Sequence, residues 1–138
     1  MGADLIMVRA ERSAYCGMQN PDKLRISKQA EELALAVYAY TDELPQAERY
    51  GLTSQMRRAA VSIGSNIFEG CSRQTNKSFM AYLYRSHGSA GEMLFQLRVA
   101  VRLSYGDAAK ADKVRRGLIN IRRGLAHLIK ALRDQGSP

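Results

Sequence analysis

Ala111-Asp112-Lys113-Val114-Arg115-Arg116-Gly117-Leu118-Ile119-Asn120-Ile121-Arg122-Arg123-Gly124-Leu125-Ala126-His127-Leu128-Ile129-Lys130-Ala131-Leu132 decides the fold. Ala111, Val114, Leu118, Ile121, Leu125, Leu128 and Leu132 recur at alternating spacings of three and four, which draws one apolar seam along a long helix. A helix apolar on one face and charged on the rest has to bury its seam against other helices.

Three further helical segments precede it. The first spans about Ser27 to Leu44, with Leu33, Ala34, Val37, Tyr38 and Thr41 on one face and Pro45 as its stop. The second follows Gly51, with Thr53 as N-cap, and runs to about Gly70. The third starts after Thr75 and runs to about Tyr105, along a seam of Phe79, Leu83, Ser86, Ala90, Met93, Leu97 and Val101. Gly106-Asp107 then reads as a C-cap glycine followed by an N-cap aspartate, the pattern of a helix reversal. Connections this short predict antiparallel neighbours, so the fold class is all-α, an antiparallel up-and-down four-helix bundle. Its expected bounds are residues 23–135, after a leader at 1–22 that ends in Asn20-Pro21-Asp22 and before a tail at 136–138.

A chain of 138 residues suffices for one domain and one core. Its first residues carry an acid, Asp4, and no apolar run longer than Leu5 to Val8, which fits neither a signal peptide nor a membrane span. Cys16 and Cys71 make no metal-type spacing, and the reading is two reduced thiols of a cytoplasmic protein. The formal charge is +8 with a pI near 9.8, and the cationic excess lies in the second half of the chain. A polyanion partner suits that balance.

Some apolar residues fall outside the seams. Met80, Tyr84, Gly88, Gly91 and Phe95 form a second stripe on the third helix, and Val61 and Phe68 lie off the main arc of the second. One small bundle does not readily bury both sets, so they are expected at subunit interfaces; the alternative is a core wide enough to cover them. The second helix also carries a polar stripe, Gln55, Arg58, Ser62, Ser65, Asn66 and Glu69, matched on the third by Arg85, Ser89, Glu92 and Gln96. Arg58, Ser62, Asn66, Glu69 and Glu92 are expected to form a structural network, Arg58 meeting Glu92 and Asn66 bridging.

The run Leu52-Thr53-Ser54-Gln55-Met56-Arg57-Arg58-Ala59-Ala60-Val61-Ser62-Ile63-Gly64-Ser65-Asn66-Ile67-Phe68-Glu69-Gly70 closely resembles the signature of bacterial four-helix-bundle proteins found within intervening sequences of large-subunit ribosomal RNA genes. The resemblance continues through Arg73, Lys77 and Phe79 to Gly88-Ser89-Ala90-Gly91-Glu92 and covers roughly Leu24 to Leu132. That family is related to the accessory variability proteins of diversity-generating retroelements, basic pentameric barrels that bind nucleic acid and a reverse transcriptase. The resemblance implies an up-and-down bundle, a ring-shaped homopentamer and no established enzymatic activity. Phe68 departs from it, standing where the family usually has alanine, and the segment before Leu24 lies outside it.

Motifs for catalysis are sparse. Neither His87 nor His127 has an acid three residues earlier, as a di-metal carboxylate bundle requires, and Gly88-Ser89-Ala90-Gly91 lacks the strand that precedes a phosphate-cradling loop. No metal and no cofactor is expected. Arg122 and His127 have the Arg-x4-His spacing of helical ribonucleases resembling the higher-eukaryote-and-prokaryote nucleotide-binding superfamily, yet a regular helix separates them by about 140°.

The function is therefore sought on the surface. Arg115, Arg116, Arg122, Arg123, Lys130 and Arg133 share an arc of about 120° beside the fourth seam, and Arg98 and Arg102 extend it from the third helix. Such an arc can follow phosphates, although Asp112 and Asp134 fall within it and take part of its charge in i to i+4 pairs. The leading expectation is a non-catalytic oligomeric bundle that binds RNA or DNA through this face. The alternatives are a protein-interaction scaffold or accessory subunit whose basic face meets an acidic protein, and, third, a helical ribonuclease.

Overall fold

A computed structural model of the chain describes residues 19–136, and among these every regular element is helical. Four helices carry the fold: α1 (Arg25–Thr41), α2 (Leu52–Cys71), α3 (Asn76–Arg102) and α4 (Ala108–Gly136), with short 3-10 turns at Pro21–Lys23 and Gln46–Glu48. Residues 1–18 and 137–138 lie outside the described residues, and with them most of the expected leader, Cys16 and the end of the expected tail.

The helices close a bundle in which α1 and α3 each pack against both α2 and α4. All seven seam residues of α4 are buried, as are Phe79, Leu83, Ser86, Ala90, Met93 and Leu97 of α3 and Met56, Ala59, Ile63 and Ile67 of α2. Withdrawing each large aliphatic side chain contributes about 1.5–3 kcal/mol, so the seams account for most of the drive to fold. Ser86 is accommodated because its Oγ donates to the Ile63 carbonyl at 2.8 Å. Individual pairings show which residues meet: Ile26 lies over Gly124 and Leu33 over Gly117, Ala30 faces Gly64, and Ser62 meets Ser89.

Several local expectations are corrected. α1 begins at Arg25 and ends at Thr41, and its buried face is Ile26, Ala30, Leu33, Val37 and Tyr40, while Tyr38 stays exposed. Tyr38 is instead covered by the Arg57 guanidinium, 4.6 Å over its ring, which Thr41 Oγ1 holds by accepting from Nε at 2.9 Å. Thr53 is not the N-cap of α2 but a buried residue of its first turn; Gly51 precedes the helix, and Glu48 Oε1 accepts from the Leu52 amide at 3.2 Å. That carboxylate satisfies one of the free amides of the helix start from outside the helix. Val101, expected in the seam of α3, is half-exposed.

α3 stops at Arg102, short of Tyr105, because Ser104 and Gly106 both take positive φ, 60° and 73°. Asp107 then caps α4, its Oδ2 accepting from the Lys110 amide at 3.0 Å. Tyr40, at the end of α1, fastens this connection: its hydroxyl donates to the Tyr105 carbonyl at 2.7 Å, and the Tyr105 hydroxyl reaches Glu48 Oε2 at 3.1 Å. A Cβ on Gly106 would lie 2.7 Å from the Tyr40 ring. Gly106→Ala therefore combines an unfavourable φ with a clash, and should lower stability by about 1–3 kcal/mol in urea titration. Gly88→Ala, in open space at a helical position, should leave stability unchanged or raise it by up to about 1 kcal/mol.

Candidate functional site

The basic arc of α4 divides once neighbouring helices are in place. Arg115 and Arg122 face α3 and, with Arg98 and Arg102 of that helix, line a groove of about 820 Å³. Arg116 turns to the other flank of α4 and lines a smaller groove with Lys28 and Lys113, toward α1. Arg123, Lys130 and Arg133 are exposed. Lys28 and Lys113 do not stand out in the sequence, since a one-helix projection does not show cations gathered from two packed helices.

Ion pairing then separates the cations further. Arg115 Nε and Nη2 donate to Asp112 Oδ1 at 3.1 and 2.6 Å, Arg116 Nε donates to Asp112 Oδ2 at 3.0 Å, and Lys130 Nζ donates to Asp134 at 3.0 Å. The hydrogen bond from Arg115, reinforced by the charges of Arg115 and Arg116, holds the Asp112 carboxyl below its ordinary value. Arg98, Arg102, Arg122 and Arg123 make no ion pair with a carboxylate among the described residues. Arg122 is half-buried, and its Nε is withdrawn from solvent with no hydrogen-bond partner among the described residues.

The floor of the α3/α4 groove is apolar. Leu97 and Ala111 are buried beneath it, while Val101 and Ile119 stand half-exposed on its two walls. Helical periodicity alone puts Val101 in the core and gives Ile119 no role, because the groove exists only between the helices.

The expected polar network forms in part. Ser62 Oγ and Ser89 Oγ lie 2.8 Å apart, and Asn66 Nδ2 donates to the Ser62 carbonyl at 2.8 Å and to its Oγ at 3.1 Å. The Arg58 to Glu92 pair does not form: both side chains are exposed, and Glu92 accepts instead from Gln96 at 3.3 Å. Glu69 pairs with Arg73 at 2.8 Å, and Arg73 lies over the Tyr82 ring. An i to i+4 partner one turn away costs less side-chain order than a reach between helices, which accounts for both choices.

The apolar stripes stay outside the core. Phe95 is 69% exposed, Tyr84 51%, Val61 48% and Phe68 39%, and only Met80 packs partly onto the core. A Cβ at Gly88 or Gly91 would meet nothing within 4 Å, so these glycines are open toward solvent rather than filled by the subunit itself.

Among the described residues no three His, Cys, Asp or Glu side chains gather as metal ligands, and no helix is long and apolar enough to cross a membrane. α4 is unbroken through Arg122 and His127, so their roughly 140° separation persists. Burial, and secondarily the charge of Arg122, holds His87 below its ordinary value.

Residues 22–127 match the family model described as 23S rRNA-intervening sequence protein, a span of more than half the chain. No curated protein shows significant similarity to it.

Because the fold disfavours the charged form of His87, the unfolded chain takes up this proton first, near pH 6.5. Stability from His87 is present above that pH and is lost as pH falls toward the lower folded value. Arg122→Gln should raise the His87 pKa in an NMR titration, and His87→Gln should reduce the loss of stability between about pH 7 and pH 5.

Proposed function

The chain belongs to the 23S rRNA-intervening sequence protein family, and from that membership we propose that it is a non-catalytic, cytoplasmic bundle that binds nucleic acid through its basic face. The observation that carries this reading is the set Arg98, Arg102 and Arg122, which has no carboxylate partner among the described residues and lines the groove of one helix pair, with the exposed Arg123 likewise unpaired with a carboxylate among those residues. Guanidinium groups left unneutralised on rigid helices suit phosphates, which they contact in bidentate fashion. The net charge of +8 adds long-range attraction.

The helices run antiparallel in this reading. Residue numbers rise along α1 as they fall along α4 in the pairs Ile26 with Gly124 and Leu33 with Gly117, and Ser86 with Ile63 and Ser62 with Ser89 follow the same order between α3 and α2. The subunits assemble head to tail into a closed ring, most simply the homopentamer that the family resemblance implies. Two exposed apolar patches on different helices, Tyr84 and Phe95 on α3 and Val61 and Phe68 on α2, supply the two unlike faces that a ring needs.

Binding should fall steeply with salt, since neutralised phosphates release counterions. Replacing Arg98, Arg102 and Arg123 together by Gln should weaken duplex and single-strand binding alike and lower the logarithmic salt slope by about 0.9 for each phosphate no longer neutralised. Arg116→Gln, which removes a partner of Asp112, should change it less. Filter binding or fluorescence anisotropy at low and moderate salt is the check, and no binding at low salt overturns the proposal.

Assembly has its own check. Gly88→Leu adds a side chain where the subunit has open space, so the helix content should hold while the oligomer dissociates in light scattering. A wild-type monomer at micromolar concentration overturns the ring.

A further inference from the structure

The groove between α3 and α4 combines two chemistries, only one of which a purely phosphate-tracking surface needs. Its rim holds Arg98, Arg102, Arg115 and Arg122, with Asp112 already engaged by Arg115 and Arg116. Its floor and walls are apolar, with Leu97 and Ala111 buried below and Val101 and Ile119 half-exposed above. At about 820 Å³ it falls within the about 300–1,000 Å³ of clefts that take organic ligands.

A duplex laid across the rim would satisfy the arginines and leave the floor unused, because its bases are stacked inside. A single strand can turn successive bases outward, cover Val101 with one flat face and Ile119 with another, and keep its phosphates within reach of the rim. Arg122 lines the groove and makes no ion pair among the described residues, so its guanidinium is a cation that the fold itself does not neutralise.

We propose that the α3/α4 groove receives a short run of unstacked nucleotides of a single-stranded nucleic acid, successive bases lying on Val101 and on Ile119 and their phosphates on Arg98, Arg102 and Arg122. This rests on the nucleic-acid reading above and narrows it to the single strand. The guanidinium planes beside the apolar walls can also stack on the bases, which makes the site tolerant of sequence.

The test compares three dodecamers at low salt by fluorescence anisotropy with the full chain: a single-stranded RNA, the matching duplex, and a strand of the same backbone whose bases have been removed. The base-bearing single strand should bind roughly tenfold more tightly than the other two. Val101→Gln with Ile119→Gln, both at half-exposed positions that a polar side chain can occupy, should abolish that preference while duplex affinity and helix content hold. Equal affinity for all three probes overturns the groove assignment and leaves the phosphate-binding surface standing, whereas failure of every probe to bind overturns the nucleic-acid reading itself. A preference that survives the double substitution places the bases elsewhere and overturns the assignment. Dodecanoate that competes away the single strand's advantage, while the double substitution leaves the RNA preference intact, assigns the groove to an apolar anion and overturns it as well.

Discussion

Val114, Leu118, Ile121 and Leu125 are wholly withdrawn from water between α1 and α3, and the rest of the molecule is arranged around keeping them there. Four such side chains outweigh any single polar contact in the bundle, since each contributes about 1.5–3 kcal/mol while a hydrogen bond nets about 1. α4 therefore has one face it must hide and, opposite it, a face free to carry arginine. The basic surface is a consequence of that division: cations are excluded from the seam and so accumulate along its edges, where those of α3 join them.

The seams of α3 and α4 are legible in the sequence because a three-and-four spacing over many turns has no competing reading as a strand. The polar–apolar assignment of α1 is less so. Tyr38 and Tyr40 are the same residue with the same hydropathy, and Tyr40 is distinguished by its hydrogen bond to the Tyr105 carbonyl, a residue sixty-five positions away. The start of α2 is obscured for a similar reason. Thr53 fits the local pattern of a cap, but Glu48, brought back by a 3-10 turn, performs that task from outside the helix.

On the surface, helical periodicity assigns positions on single helices and not the company they keep. Arg115 and Arg116 are adjacent in the chain and chemically identical, yet they line different grooves and share one carboxylate. Arg58 and Glu92 lie on stripes that periodicity alone would pair, but a nearer partner for Glu92 leaves them apart. The Ser62 to Ser89 contact, with Asn66 donating to Ser62, is the part of the polar stripe that does come together, a direct hydrogen bond between two short hydroxyls of α2 and α3. A groove with arginine banks and an apolar bed emerges only when α3 and α4 lie side by side.

Ile26 and Leu33 are seven residues apart, and so are the two glycines they sit on, Gly124 and Gly117. Like two evenly spaced teeth on a rack, such a pair defines alignment only modulo one tooth: slide α1 by a heptad and Leu33 meets Gly124 instead. The third tooth is cut at a different pitch. Tyr40 lies seven residues beyond Leu33, while its seat, Gly106, lies eleven from Gly117, so the slipped arrangement forfeits both that seat and the Tyr105 carbonyl. The irregular spacing at one end thus works as a vernier, turning a periodic contact that repeats into a unique alignment of the whole helix pair.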